Sequence, residues 1–267
     1  MDNQTAEELK AALEWQIEMG VDETVDDESQ NRFQATKETR KSPQEKRPEE
    51  APSRVRTGHI QTTPAGGQAG KTLAKEAAAK AATLGELREA IEAFEACSLK
   101  WTAKSTVFAD GNPEADIMLI GEAPGAEEDR QGKPFVGPSG HLLDKMMAAI
   151  GLQRDQGYYI SNILPWRPPG NRKPTPIETA TCLPFILRHI ELAKPKILVL
   201  LGATPASALL NTTEGITRIR GRWLNLELDQ LEVAVMPTYH PAYLLRQPRF
   251  KAEAWKDLQE IKSKLGH

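Results

Sequence analysis

From residue 83 onward, unbroken apolar runs alternate with apolar positions at helical spacing. Residues 116–121, Asp-Ile-Met-Leu-Ile-Gly, form an apolar run closed by glycine, the pattern of a strand buried on both faces. Residues 142–150 carry a helical spacing, and 158–162, Tyr-Tyr-Ile-Ser-Asn, read as a second strand. Pro174 opens a helix whose apolar positions Ile177, Leu183, Ile186, Ile190 and Leu192 run to Ala193. Residues 196–201, Lys-Ile-Leu-Val-Leu-Leu, are the clearest buried strand, and Gly202 turns the chain into a helix from Thr204. A fourth strand at 233–237 and a closing helix at 252–265 complete the series. Upstream, Thr83 with Glu86 three residues on caps a helix that reaches about Ala96. Short apolar strands alternating with helices predict an α/β fold: a three-layer α/β/α sandwich with a central, mainly parallel four-stranded sheet.

Toward the N-terminus the pattern fades. No aromatic residue occurs between Phe33 and Phe94, and from Met19 to Ala82 the only Val, Leu or Ile residues are Val21, Val25, Val55, Ile60 and Leu73. Such a stretch cannot bury enough apolar surface to offset its chain entropy. Residues 1–70 are therefore expected to be a mostly disordered extension, and 71–267 the folded domain, with helix-favouring Ala, Lys and Glu from Lys71. Within the extension, Leu9, Ala12, Leu13 and Ile17 give residues 5–19 the spacing of a short amphipathic helix. It either packs on the body or docks on an unidentified protein partner. Residues 20–70 read as a linker with an acidic stretch, a mixed-charge proline stretch and Pro-Ala-Gly-Gly from 64.

Composition then narrows the class. Two cysteines exclude a disulfide-built scaffold and, by themselves, a four-cysteine metal site. No apolar run approaches membrane-spanning length, and the opening Met-Asp-Asn-Gln-Thr-Ala-Glu-Glu lacks the character of a signal peptide. The expectation is a soluble cytoplasmic protein, a monomer with no membrane partner. The net charge of −3 conceals a split, because residues 1–50 carry 14 acids against 7 bases whereas 81–267 carry 22 of each. Any grip on a polyanion is therefore local.

Binding residues in a parallel sheet collect beyond the carboxyl ends of the strands, which here points to four segments. In the first, Gly121-Glu-Ala-Pro-Gly125 presents a carboxylate and free backbone N–H groups; lacking Gly-x-x-x-x-Gly-Lys, it is no nucleotide P-loop. Phe135 follows in the same loop region, an aromatic that either plugs the core or offers a stacking face. The second segment begins at Asn162, a turn-former or an amide able to read a base edge with its paired donor and acceptor. Arg167, Arg172 and Lys173 follow on a proline-stiffened loop and, like Arg218, Arg220 and Arg222, either hold phosphates or are solvated surface. The segment at 202–205 holds the glycine turn. In the fourth, His240 lies near Pro237 and beside Pro241, followed by Leu244, Leu245 and Arg246. Those leucines either form a wedge for a base stack or turn inward at a helix start.

Taken together, the motifs Gly-Glu-Ala-Pro-Gly-Ala-Glu-Glu-Asp (121–129), Gly-Lys-Pro-Phe-Val-Gly (132–137), Arg-Pro-Pro-Gly-Asn-Arg (167–172), Leu-Gly-Ala-Thr (201–204), Ile-Arg-Gly-Arg-Trp (219–223) and Tyr-His-Pro-Ala-Tyr-Leu-Leu-Arg (239–246) closely resemble the family-four uracil-DNA glycosylases in order and spacing over about residues 94–265. The resemblance implies a DNA-repair hydrolase that flips uracil out of DNA and hydrolyses its N-glycosidic bond. It implies that Phe135 stacks on uracil, that Asn162 pairs with its O4 and N3 edge, and that His240 meets its O2. Glu122 takes the position that orients or activates water, with Gly121, Ala123 and Glu128 beside it in the substrate site. The DNA contacts it implies are Arg167, Arg172, Lys173, Arg220, and the loop Leu244, Leu245 and Arg246 that enters the vacated stack.

The chain departs from that family at its cofactor. Family-four members carry four cysteines for a 4Fe–4S cluster; Cys97 and Cys182 match two of these positions, and the others are Phe94 and Trp166. Aromatic rings cannot ligate iron, so no cluster and no metal site is expected, with Phe94 and Trp166 filling its volume. No histidine lies between His189 and His240, which implies turnover rather than the covalent capture of some relatives. The rival reading is a lesion-binding relative without catalysis, or a glycosylase of altered specificity acting on hypoxanthine or another deaminated base.

Overall fold

Four parallel strands meet in register, and that register builds the site. In the computed structural model the described residues are 65–229 and 231–266. The amphipathic segment at 5–19 and the linker up to residue 64 lie outside them. The strands are β1 (Asp110–Gly111), β2 (Ile117–Gly121), β3 (Tyr159–Asn162), β4 (Ile197–Leu201), β5 (Leu224–Leu228) and β6 (Leu231–Thr238), in sheet order β1-β3-β2-β4-β6-β5. The inner pairs β3–β2, β2–β4 and β4–β6 are parallel, and the edges β1 and β5 are antiparallel. The expected four-stranded sheet is thus the centre of a six-stranded one.

The helices are α1 (Ala65–Lys80), α2 (Leu84–Ala93), α3 (Leu99–Thr102), α4 (Ala126–Gln131), α5 (Pro138–Ala148), α6 (Pro176–Ala193), α7 (Ala203–Leu210), α8 (Ile216–Ile219), α9 (Pro241–Arg246) and α10 (Lys251–Leu265). Alternation along the strands divides the core between two layers. Met118, Ile120, Leu198, Leu200, Val233 and Val235 join residues of α1, α2, α6 and α7 in one cluster. Ile117, Leu119, Ile160, Ile197, Val199 and Met236 join Leu143 and Met147 of α5 and Leu258 and Ile261 of α10 in the other. This is the expected three-layer arrangement.

Local signals set the ends of these elements. The Thr83 hydroxyl accepts from Glu86 N at 3.2 Å while Glu86 accepts from Ala82 N at 2.7 Å, so the cap of α2 forms as its sequence predicts. The cap of α6 is Thr175, one residue past the proline expected to open it, with Glu178 completing a capping box. Small residues bring α1 against α6: a Cβ added at Gly70 would stand 3.3 Å from the Thr181 side chain, and Ala74 and Ala78 are buried.

Chain order places β2 between its successor β3 on one side and β4 on the other. This is the reversal of direction at which α/β sheets open a crevice beyond the strand ends. Gly121 lies opposite Asn162, and Leu201 opposite Thr238. The residues that follow these four positions are therefore delivered to one place.

Candidate active site

A cleft of about 560 Å³ opens at that place. Its walls include Glu122, Ala123 and Glu128 from beyond β2, Phe135, Asn162 at the end of β3, and His240 and Arg246 from beyond β6. Arg172 and Lys173 line its mouth together with Asn171. Nine of the expected site residues thus border one cavity. Gly121 lies beneath it: a side chain there would collide with both the Asn162 amide oxygen and the Phe135 ring. Glycine is what lets those two groups converge.

The Phe135 ring forms one wall, 5.6 Å from the His240 ring between centroids and tilted by 31°. It is 5% exposed and belongs to the core beneath α5 while also lining the cleft. Its backbone is left-handed, φ 53°, a conformation that costs a non-glycine residue about 1–2 kcal/mol. Two charged side chains hold it there. Glu128 accepts from Val136 N at 3.0 Å and Gly137 N at 2.9 Å, and Arg154 donates to Pro134 O at 3.0 Å and Phe135 O at 2.7 Å. Glu128 therefore holds the Phe135 wall through the backbone as well as lining the cleft.

Asn162 is 5% exposed, and its Oδ1 is buried without a hydrogen-bond partner among the described residues. An orphaned buried acceptor costs about 1–3 kcal/mol and is rare unless a ligand satisfies it. His240 caps α9 through its Nδ1, which accepts from Ala242 N at 3.1 Å. That bond assigns the ring proton to Nε2. Burial first, and the nearby Arg246 charge second, push the His240 pKa down to about 4, while Glu128 opposes them. The ring is thus a neutral N–H donor near pH 7.

Two of the expected DNA contacts, Leu244 and Arg220, are turned into the fold. Leu244 is 1% exposed and packs with Tyr239 and Ala254, so it is no wedge; only Leu245, 44% exposed, stands outward. On a single turn of helix, neighbouring residues face different ways, and the core takes one. Arg220 is turned inward: its guanidinium pairs with Asp257, donates to Glu253 O at 2.5 Å, and lies 5.3 Å over the Tyr239 ring. Its charge is spent inside the fold. Arg167 does not line the cleft but donates to Asn171 Oδ1 at 2.7 Å, tying the proline loop together. Arg172 reaches the cleft, yet its guanidinium is also held in two parallel bonds by Glu178, at 2.9 and 2.6 Å.

Arg154 and Thr204 hold cleft residues from outside its lining, and the sequence assigns neither of them that part. Arg154 sits in a polar run, Gln-Arg-Asp-Gln, with no local signal. Thr204 ends the Leu-Gly-Ala-Thr motif, and its hydroxyl donates to Glu122 Oε2.

Cys97 and Cys182 are both buried, and the Cys182 thiol donates to the Cys97 sulfur at 3.9 Å. That hydrogen bond first, and burial second, push the pKa of the Cys182 thiol upward, while the same bond lowers that of Cys97. Phe94 meets Phe185 edge to face at 5.0 Å, and Trp166, 1% exposed, donates its indole N–H to Thr106 at 3.1 Å; both belong to the core that holds the two cysteines. Among the described residues, no group of three or more His, Cys, Asp or Glu side chains is arranged to hold a metal ion. This donor set does not fit a four-cysteine cluster. Protein purified without oxygen is expected to carry far less than one iron per chain by elemental analysis, and stoichiometric iron and sulfide would contradict that.

Among the described residues no helix is long and apolar enough to cross a membrane. The model of the Uracil DNA glycosylase superfamily matches residues 108–259, which contain the whole cleft. The type-4 uracil-DNA glycosylase of Archaeoglobus fulgidus is 37% identical over 183 residues, covering 67% of this chain and 92% of that protein. The type-4 uracil-DNA glycosylase of Thermotoga maritima is 38% identical over 181 residues, 66% of this chain and 91% of its own. A type-5 uracil-DNA glycosylase of Thermus thermophilus is 35% identical over a shorter 114 residues, 38% of this chain and 52% of that protein. With a family match across the folded body, and type-4 relatives covered over nine tenths of their length, the chain belongs to the uracil DNA glycosylase superfamily and stands with its type-4 members.

Proposed function

We propose that this protein excises uracil from DNA, releasing the free base and leaving an abasic deoxyribose, the opening step of base excision repair. The observation that carries the proposal is the unpartnered Oδ1 of Asn162, buried in the same cleft as the Phe135 ring and the His240 N–H. Uracil offers an N3–H donor to that oxygen and an O4 acceptor to the amide N–H. Cytosine has an acceptor at N3 and an amino group at position 4, so it would leave both polar groups of the amide opposed. Flipping the base costs a few kcal/mol, which stacking on Phe135 and the edge hydrogen bonds offset. Leu245 is the side chain available to fill the vacated stack, and Lys173, Arg172 and Arg246 face the backbone phosphates.

In the reaction, the bond from C1′ to uracil N1 breaks with its electron pair on the base. Negative charge develops at uracil O2 and positive character at C1′. His240, with its proton on Nε2, stabilises the charge at O2 as it forms, and it is already oriented by Ala242 N–H. Glu122 stabilises the sugar cation and holds the water whose oxygen bonds to C1′. That water's second proton leaves to the carboxylate or to solvent, and uracil departs as the anion.

The test is release of free uracil from a labelled oligonucleotide carrying one deoxyuridine, with matched cytosine, thymine and hypoxanthine strands alongside. Uracil release with at least a hundredfold preference over cytosine is the expected result. Tight binding of the uracil strand without release would replace the proposal with a lesion-binding function.

A further inference from the structure

Glu122 is held both at its backbone and at its carboxylate. Its backbone is tied to β3's exit, where Leu164 N donates to Glu122 O at 3.1 Å. Its carboxylate is tied to a different strand, because the Thr204 hydroxyl donates to Oε2. Among the described residues no hydrogen bond reaches Oε1. Thr204 stands in the first turn of α7, two residues beyond Gly202, whose N–H donates to Thr238 O at 2.9 Å. The turn at Gly202 is itself left-handed, φ 100°, and a Cβ there would stand 3.1 Å from His240 Cβ. Thr204 therefore refers the carboxylate to the same rigid corner of β4 and β6 that carries His240.

We infer that Thr204 is a positioning residue for Glu122, fixing one carboxylate oxygen so that the other faces the sugar and its water. The inference rests on the excision reading above and deepens it. A hydroxyl donating to a carboxylate is a charge-assisted bond, among the stronger orienting contacts a side chain makes. A carboxylate free to rotate would spend part of its time turned from C1′, and misplacement of that kind lowers the rate of the chemical step more than it weakens binding. A merely structural threonine would instead be missed in folding or in DNA affinity.

The experiment compares Thr204→Val, which keeps the shape and removes the donor, with Thr204→Ser, which keeps the donor. Single-turnover excision is expected to slow about tenfold in T204V while the Kd for the uracil oligonucleotide changes less than about twofold. T204S is expected to stay within about threefold of wild type, and T204V to cause no further loss in a Glu122→Gln background, as coupled residues behave. A wild-type rate in T204V, an undiminished loss in the E122Q background, a failure of serine to rescue, or a loss confined to Kd would each overturn the inference. Should the wild-type protein release no uracil, the excision reading fails separately. Crystal structures of wild type and T204V then decide the positioning role: a turned Glu122 carboxylate in T204V upholds it, and an unmoved one overturns it.

Discussion

Replacing His240 with alanine is expected to slow single-turnover uracil excision by about 10²–10³-fold, the scale of losing one donor aimed at developing charge. The size follows from three features of one side chain. The ring lines the cleft, its Nδ1 is occupied by Ala242 N–H, and its remaining N–H is therefore fixed on Nε2. A side chain positioned in this way needs no rearrangement when charge appears. The pH dependence follows from the same environment. Because burial holds this imidazole's pKa down to about 4, it is neutral throughout the range from pH 5 to 8, and His240 contributes no break to the pH–rate profile near 6.5, where a free histidine titrates. A break near 6.5 that disappears in His240→Ala would contradict this account, as would a variant rate within threefold of wild type.

The second large effect belongs to Asn162. Asn162→Ala is expected to lower uracil excision by at least tenfold, and to weaken inhibition by free uracil by a similar factor, because the base then enters with its N3–H and O4 unpaired. The two readouts separate Asn162 from His240. An amide that pairs with the base edge in ground and transition states alike affects binding of the product, whereas a donor that matters mainly once O2 is charged does so far less. Unchanged inhibition by uracil in Asn162→Ala would remove the edge-reading role even if the rate fell.

The parts of this molecule that were legible in its sequence are those decided by near neighbours. The buried strands at β2 and β4 announce themselves as apolar runs, and the cap at Thr83 rests on Glu86 three positions away, whereas the cap at Thr175 falls one residue past the Pro174 start read from the sequence. The edge strands were harder. β1 is two residues long, and β5, Leu-Asn-Leu-Glu-Leu, alternates as a one-sided strand should but follows directly on a basic motif that draws attention to charge. What the sequence concealed are the partners set by long-range packing. Arg220 reads as a free cation until Asp257, 37 positions later on α10, takes its guanidinium. Thr204 meets Glu122 across 82 positions and Arg154 meets the Phe135 carbonyl across 19, and neither pairing leaves a local trace. Leu244 and Leu245 are identical in type, and only the packing of α9 decides which is buried.

These differences change the expected DNA interface more than the expected chemistry. With Arg220 in an internal ion pair and Leu244 in the core, Lys173, Arg172 and Arg246 remain as the cations that line the cleft, and Leu245 is the exposed leucine of α9. The pocket groups, by contrast, converge from three strand ends whose register is fixed by the sheet.

The most direct measurement is a crystal structure of the protein with DNA carrying a non-hydrolysable deoxyuridine analogue. The flipped base is expected to lie on the Phe135 ring, with its N3–H donating to Asn162 Oδ1 and its O2 within hydrogen-bond distance of His240 Nε2. A base seated outside the cleft, or one whose O2 faces away from His240, would contradict the proposed function.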